Sequence, residues 1–413
     1  MPFDKLQAVL SDEIESMERD GRAKGREIVF CGMVPPVDGK GPRYLLDGEG
    51  DRPFLRMNSN GYLGLALHPA LVSAEEKAVR TFGTGPGAVR FISGTGLAHI
   101  ELEKKLAAFH KREAAMIFSS AYATVVGILA PLITPHTAVI SDALNHNCII
   151  NAIRLAQPKE KCVYDHLDMV GLEASLKKAS QQCRRAIVVT DGIFSMRGDH
   201  APLDRITALA KSCDNDFSEN VVVVVDDSHG VGAFGKTGRG TEEYTGSEPA
   251  DLLVGTLGKA FGVNGGYITA SEPIIRYLRE TSPTYIYSNP ITPGEAAAAS
   301  AALDIVAGPE GQERLASLRL MTARFENGLI DLGFETIPGE HPVVPLIVRD
   351  TIRTSALVTH LWTNGILATG LNYPVVPKGS EEIRFQICAD HTSVDIDEAL
   401  DVLARFEKAT HQR

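Results

Sequence analysis

One tryptophan in 413 residues, six cysteines and no long apolar run set the first limits on this chain. The longest apolar stretch, 123–133, contains Gly127 and Pro131 and falls well short of the ~20 residues that span a bilayer. No membrane partner is therefore expected. Cys31, Cys148, Cys162, Cys183, Cys213 and Cys388 include no C-x-x-C pair, which excludes the usual zinc and thioredoxin-like patterns. Scattered thiols in a long chain suit a reducing compartment. The first twenty residues carry acids throughout and lack an apolar secretory core, so a cytoplasmic location is expected. Positive charge is also in short supply, with Lys+Arg 41 against Asp+Glu 52 and a net charge of −11. Such an average field repels a phosphate backbone and argues against a nucleic acid partner. Neither an internal repeat nor a low-complexity segment is present.

What is there reads as ordinary globular protein, 44% hydrophobic and 23% charged, long enough for two or three domains. Residues 3–20 predict an amphipathic helix, with Leu6, Val9, Leu10, Ile14 and Met17 at helical spacing. The Gly/Pro-rich stretch 32–50 predicts a linker or extended arm. Short apolar runs at 115–118, 138–141, 186–190, 221–225, 252–254 and 267–269 then alternate with helical patterns such as 148–156, 169–180 and 203–211. Continuous apolar strands separated by helices indicate an α/β fold, a mostly parallel sheet covered on both faces. After Pro293 the texture changes. Helical patterns at 294–306 and 313–332 precede strands at 343–348, 366–371 and 383–387, a helix around 355–362, and a last helix with Ala399, Leu400, Leu403 and Phe406 on one face. Thr392 and Asp395 form a capping-box pattern before that helix. The expected organisation is an N-terminal helix and arm over 1–58, a large domain over 59–293 and a smaller α+β domain over 294–413.

Open parallel sheets bind ligands beyond the carboxyl ends of their strands, so the residues just past each strand matter. The five-valine run ends in Asp226-Asp227-Ser228-His229, and the 186–190 strand in Asp191-Gly192-Ile193-Phe194-Ser195. Asp142 through His146 come after a third, Ser119-Ser120-Ala121-Tyr122 after a fourth, and Gly255-Thr256-Leu257-Gly258-Lys259 after a fifth. A lone lysine after a glycine is usually a solvated loop residue, and a lone aspartate at a strand end is usually a helix cap. Their convergence on one sheet edge is what carries weight. Pyridoxal 5′-phosphate (PLP) needs a lysine for its Schiff base and an acid at its pyridinium nitrogen. Lys259 sits between Gly258 and Ala260, which leave room for a flat ring. Asp226, at a buried strand end, needs a cationic partner. Ser120 and the N–H groups after it open a helix, a ready phosphate site that Thr256 could complete.

One competing motif points elsewhere. Residues 230–237, GVGAFGKT, match the G-x-x-x-x-G-K-[ST] phosphate loop of nucleotide hydrolases. Such a loop must run directly into a helix, whereas Thr237 is followed by Gly238-Arg239-Gly240, which breaks a first turn. The motif is set aside on that ground.

The segments SDALNHNCII (141–150), TDGIFSMRGD (190–199), VDDSHGVGAFGKTGRG (225–240) and GTLGKAFG (255–262) resemble the α-oxoamine synthases, a PLP-dependent branch of the fold type I aminotransferase superfamily. The resemblance runs from Asn60-Gly61-Tyr62-Leu63-Gly64-Leu65 to Ala389-Asp390-His391-Thr392. It implies the fold type I architecture, a homodimer with active sites at the interface, and a role for each matching residue. Lys259 would bind the cofactor and move the substrate α-proton, Asp226 would pair with the pyridinium, and His146 would stack on the ring. Ser195 and His229 would bond the ring hydroxyl side and the substrate. The backbone of Ala121 and Tyr122, with Thr256, would hold the phosphate, joined by Ser288 and Asn289 reaching to the neighbouring subunit. Asn60 and Arg384 would hold the substrate carboxylate. The implied reaction condenses a small amino acid with an acyl-CoA and releases CoA. The stretches 87–94 and 372–379 are similar to the glycine C-acetyltransferases, so glycine and acetyl-CoA are the expected substrates. A family member using another acyl-CoA, or alanine or serine, is the alternative. A scaffold without activity would be expected to lack Lys259, Asp226 or His229, and all three are present.

Overall fold

A computed structural model of the chain describes residues 3–411 apart from 21, 24 and 374. Pro374, within the 372–379 stretch, thus lies outside the described residues. The amphipathic pattern at the start forms the helix Asp4–Arg19. The expected arm is an antiparallel hairpin of β1 (Phe30–Val34) and β2 (Arg43–Leu46). Arg43 ties it to the last helix, Ser393–His411, with Nη2 2.7 Å from Asp395 Oδ1 and 3.1 Å from Glu398 Oε2. The backbones meet so closely there that a Cβ on Gly41 would lie 2.3 Å from the Asp390 carbonyl oxygen. The predicted capping box is present: Asp395 Oδ2 accepts from the Thr392 N–H at 2.8 Å, and Thr392 Oγ1 accepts from the Asp395 N–H at 3.3 Å.

Seven strands build the central sheet: β3 (Ala114–Phe118), β4 (Thr137–Asp142), β5 (Glu160–Tyr164), β6 (Arg185–Asp191), β7 (Val221–Asp226), β8 (Leu252–Thr256) and β9 (Gly266–Ala270). Their order is β3-β9-β8-β7-β6-β4-β5. All run the same way except β9, which pairs antiparallel with both neighbours. β-Branched valines suit a strand buried on both faces, and β7 shows the alternation directly. Val223 and Val225 pack into the apolar cluster on one side of the sheet and Val224 into the cluster on the other. β5 escaped the sequence reading because one of its faces is exposed, unlike β3 at the opposite edge, which is buried and was read at 115–118. Glu160, Cys162 and the neighbouring residues leave one side half in water, so no continuous apolar run marks it.

A second sheet, ordered β10-β11-β13-β12, comprises β10 (Glu335–Thr336), β11 (Val343–Ile347), β12 (Thr369–Leu371) and β13 (Glu382–Gln386). The run read as one strand at 366–371 is split. Ile366–Leu367 pairs in parallel with Leu55–Arg56, and only 369–371 joins this sheet. One core cluster contains both Phe261, beyond β8, and Phe385 on β13, so the two sheets' surroundings are packed as one mass.

The strand-end loops that will matter are clamped by polar groups. After β7, the Asp227 carboxylate accepts from Thr241 N–H at 2.7 Å and from its hydroxyl at 2.6 Å. Gly192, Gly230 and Gly240 close around it, and a Cβ on any of them would come within 2.2, 2.1 and 1.9 Å of a carboxylate oxygen. Gly230 opens the phosphate-loop pattern, and Thr237, which closes it, gives its hydroxyl to Glu243 at 2.6 Å. No helix starts at Thr237; the next begins at Thr241 and is five residues long. Beyond β5, His166 bridges Asp142, at the end of β4, at 3.0 Å and Asp199, in the loop after β6, at 3.3 Å. Burial works against charge on this imidazole, but the two carboxylates prevail and push its pKa up to about 9.

A raised histidine pKa stabilises the fold fully below the unfolded value near ~6.5, and that contribution is lost as pH rises through the folded one. Unfolding free energy should therefore fall by roughly 1–2 kcal/mol more in the wild type than in His166→Gln between about pH 6.5 and 9, after allowance for solvent screening. Parallel urea curves for the two proteins across this range would reveal no His166 contribution.

Candidate active site

The carboxyl ends of β4, β6, β7 and β8 meet at one cleft. It encloses some 350 Å³, part of it open to solvent, and is lined by Ala121, Tyr122, His146, Cys148, Asp191, Ile193, Ser195, Asp226, Ser228, His229 and Lys259. Three polar side chains form its base. Asp191 and Asp226 end adjacent parallel strands and stand in register with each other. Both are buried, at 4% and 6% exposure. Lys259 enters from the turn beyond β8 and is half-buried. Desolvation lowers its pKa, an effect that the charges of Asp226 and Asp191 oppose. Desolvation and then Asp226 raise the pKa of Asp191 well above the ordinary range. An amine so placed sheds its proton more readily than one in water, which makes it a better nucleophile.

Asp226 is held on both oxygens. Oδ1 accepts from the Ser228 N–H at 3.1 Å and Oδ2 from the Cys148 thiol at 3.6 Å. Among the described residues, no ion pair joins it to a lysine, arginine or histidine. His146 caps the helix Asn147–Ala156, its Nδ1 accepting from the Cys148 N–H at 3.3 Å, and its ring stands exposed at the cleft. His229 is buried, and desolvation followed by Lys259, His341 and Arg384 holds its pKa well below the usual value. It is therefore a neutral imidazole.

The helix Ala121–Leu132 points its N-terminus at the same cleft. Ser120 caps it by accepting from the Ala123 N–H at 3.1 Å, so the N–H groups of Ala121 and Tyr122 head the helix beside the cleft. β9 runs close behind, where a Cβ on Gly266 would lie 2.3 Å from Ala121 N. Thr256, buried at the end of β8, donates to the Gly265 carbonyl at 3.2 Å and accepts from the Gly258 N–H at 3.2 Å.

From the second sheet, Arg384 reaches across and donates from Nη1 to the Ser195 carbonyl at 3.0 Å. With its amide oxygen turned toward this guanidinium, Gln386 accepts from Arg384 Nε at 2.7 Å and Nη2 at 2.9 Å while donating to the Met57 carbonyl at 3.3 Å. A neutral oxygen thus orients the guanidinium without cancelling its charge, and the remaining N–H groups are free for an anion. Asn60 lies beside this arginine's strand, its Oδ1 3.3 Å from the Tyr62 hydroxyl.

Of the residues picked out in the sequence, Ala121, Tyr122, His146, Ser195, Asp226, His229 and Lys259 share the cleft, with Ser120, Thr256, Asn60 and Arg384 around it. Ser288 and Asn289 do not line it; they are half-buried and exposed beyond the short helix Pro283–Ile286. Sequence reasoning passed over Asp191, Cys148, Tyr62 and Gln386. Asp191 carried a signal, since it ends the strand beside Asp226 and bears the same side chain. The donor set fits PLP: a depressed amine, a buried carboxylate without an ion pair among the described residues, a helix N-terminus and two imidazoles. Among the described residues no cluster suits a metal ion, and no helix is long and apolar enough to cross a membrane.

Comparison with known proteins agrees with this chemistry. The sequence profile of the aminotransferase class I and II family matches residues 52–403. The chain is 41% identical over 370 residues to 8-amino-7-oxononanoate synthase 1 of Bacillus velezensis, covering 89% of this chain and 91% of that protein. It is 38% identical over 399 residues to the mitochondrial 2-amino-3-ketobutyrate coenzyme A ligase of Mus musculus, covering 96% and 92%. Among solved structures, the serine palmitoyltransferase of Sphingomonas wittichii superposes with a TM-score of 0.86 at 26% identity, over 99% of this chain and 98% of that one. A structure described as SPT with a PLP internal aldimine gives the same TM-score and identity over the same shares. The chain belongs to the aminotransferase class I and II family, and within it to the PLP-dependent α-oxoamine synthases.

Proposed function

We propose that this cleft binds PLP through Lys259 and that the chain condenses glycine with acetyl-CoA, releasing CoA and forming an α-amino ketone. The observation that carries the reading is the pair of buried carboxylates Asp226 and Asp191 at the ends of adjacent strands with Lys259 in the same cleft, and Arg384 leaning in from the second sheet. When bound, the cofactor supplies an electrophilic carbon for the lysine amine and an electron sink for negative charge at the amino acid's α-carbon.

The chain's own residues supply the rest. Asp226 offers a charge-assisted hydrogen bond to a ring N–H, which favours the protonated ring. Ala121 and Tyr122 present backbone N–H groups, at the positive end of a helix, to a phosphate. His146 lends a flat face. Arg384, already oriented by Gln386 and Ser195, takes the substrate carboxylate on its free N–H groups, a fork geometry that suits carboxylates. That fixes the amino acid's orientation before reaction. Lys259 Nζ, whose pKa desolvation lowers from that of a free amine, would be the base for the α-proton.

Ser288 and Asn289 serve a neighbouring subunit's phosphate in this reading, so the working form is a homodimer. In support, the segment leading to them packs on 90–94, and Phe91, Ile92 and Tyr287 stand 65%, 65% and 81% exposed. An apolar surface of this kind suits burial against a second copy. A second substrate reading, alanine with a longer acyl-CoA, is favoured by the 41% identity to an 8-amino-7-oxononanoate synthase.

Lys259→Ala should abolish turnover and the visible absorption of the enzyme-bound cofactor; a wild type purified without PLP and unable to take it up would overturn the assignment. Asp226→Asn should retain part of the cofactor while losing on the order of a hundredfold or more in kcat, since an amide cannot hold the ring protonated. Near-normal turnover in that variant would count against the sink. For substrate choice, free-CoA release across a panel of acyl-CoAs and amino acids should give its highest kcat/KM with glycine and acetyl-CoA. A clear preference for alanine and a longer acyl chain would transfer the chain to the second reading.

A further inference from the structure

The two ring nitrogens of His229 keep different company. Nδ1 lies 2.7 Å from the hydroxyl of Tyr62, a residue that does not itself line the cleft. Nε2 has no hydrogen-bond partner among the described residues, and the residue lines the cleft with Lys259. Tyr62 is itself fully buried, packed between His229 and His341 with ring centroids 6.1 and 5.3 Å away. Its hydroxyl also stands 3.3 Å from Asn60 Oδ1.

Two arrangements of protons are compatible with these positions. In one, Tyr62 donates to Nδ1 and the imidazole carries its single proton on Nε2. In the other, Nδ1 donates to the phenol, the phenol donates to Asn60, and Nε2 is a bare base facing the cleft. Three considerations select the first. A phenol is a stronger acid than a neutral imidazole N–H, and an imidazole nitrogen is a stronger base than an amide oxygen, so O–H to nitrogen is the better matched bond. The distances agree: 2.7 Å is an ordinary full-strength contact, whereas 3.3 Å is long for a hydroxyl donor. Finally, the Asn60 amide can present its NH2 to the phenol oxygen, which satisfies Tyr62 as acceptor and donor together. Burial beside Lys259, His341 and Arg384 keeps the ring neutral, so only one nitrogen carries a proton.

We propose that Tyr62 is a positioning residue that fixes His229 as its Nε2–H tautomer, making the nitrogen that faces the cleft a hydrogen-bond donor and not a base. The proposal deepens the reading of this cleft as the cofactor's and rests on it for its consequence. An electron-rich oxygen on the cofactor ring or on the substrate would meet a donor at His229, and proton removal from carbon would be left to Lys259 alone.

The test uses the full-length chain labelled with 15N-histidine, with and without PLP, and His229 assigned by comparison with His229→Asn. The wild type should show His229 as a single Nε2–H tautomer, and Tyr62→Phe should show a mixture of the two. A wild-type Nδ1–H form would overturn the proposal, even if Tyr62→Phe failed to fold, and so would an unchanged tautomer in Tyr62→Phe. Affinity for PLP, titrated by absorbance, supplies a second readout. Tyr62→Phe should weaken it roughly threefold to tenfold in the wild-type background, the scale of one hydrogen bond, and should add nothing in the His229→Asn background. Equal losses in both backgrounds would refute the coupling. If the wild type bound no PLP at all, the cofactor reading would fail, while the 15N spectra would still decide which nitrogen of His229 carries the proton.

Discussion

Two buried carboxylates and a half-buried amine gathered at one sheet edge are what the rest of this molecule is arranged around. Asp191 and Asp226 close adjacent strands with their side chains directed to the same edge, and neither is accessible enough to be solvated separately. Burial works against charge on both Lys259 and Asp191. Their mutual field resists this for Lys259, while Asp191, facing a second acid, is the one driven toward its protonated form. The cleft therefore holds acid and base poised at neighbouring positions, the condition that proton-transfer chemistry needs and that no folding requirement would select.

Such a cluster persists only if its frame cannot relax around it. The parallel sheet supplies register, because adjacent strands must end side by side for Asp191 to meet Asp226. The loops supply stiffness. Asp227, one residue beyond Asp226, is wrapped by three glycines and bonded twice to Thr241, so the backbone carrying Ser228 and His229 has one available path. His166 ties Asp142 to Asp199 and so pins the loop that carries Ser195. Ser120 and His146 cap their own helices while standing at the cleft, which makes helix initiation and site geometry the same event.

The strands of the central sheet were legible where they were buried, because a strand covered on both faces must be continuously apolar. The exception is Glu160–Tyr164, an edge strand whose residues alternate between exposed and partly buried. The short split at 366–371 was hidden for a related reason: its two halves pair with different partners, and pairing leaves no mark in a run of apolar letters. The site was legible to the extent that chemistry sits in strand-end turns. Lys259, Asp226 and His229 come directly from that rule. Tyr62 and Gln386 do not, since each looks like a core residue or an ordinary strand position, and only the fold shows which nitrogen it faces. The phosphate-loop pattern at 230–237 shows the converse error that spacing alone invites. Its first glycine is required by the Asp227 carboxylate and its threonine by Glu243, so the same letters arise from packing with no phosphate involved.

The two kinds of relative differ in product, and the structure suggests why one scaffold can serve both. In the proposed reading, the cleft's interlocked groups all handle the amino acid half of the reaction: Lys259 would serve its α-carbon, Arg384 its carboxylate, and His229 and Asp226 the cofactor ring. These groups are indifferent to what acylates the carbon. Arg384 in particular is oriented by an amide and a backbone carbonyl, neither of which neutralises it, so any small α-amino acid presents it with the same carboxylate. Discrimination between acyl chains must then come from surfaces that the acyl group reaches and the amino acid does not. One methylene in an apolar pocket changes selectivity by only ~1–3 kcal/mol, so few substitutions at the cleft mouth are needed to pass from one acyl group to another. In that reading the amino acid half of the reaction depends on the sheet and its clamped loops, and the acyl half on residues beyond them.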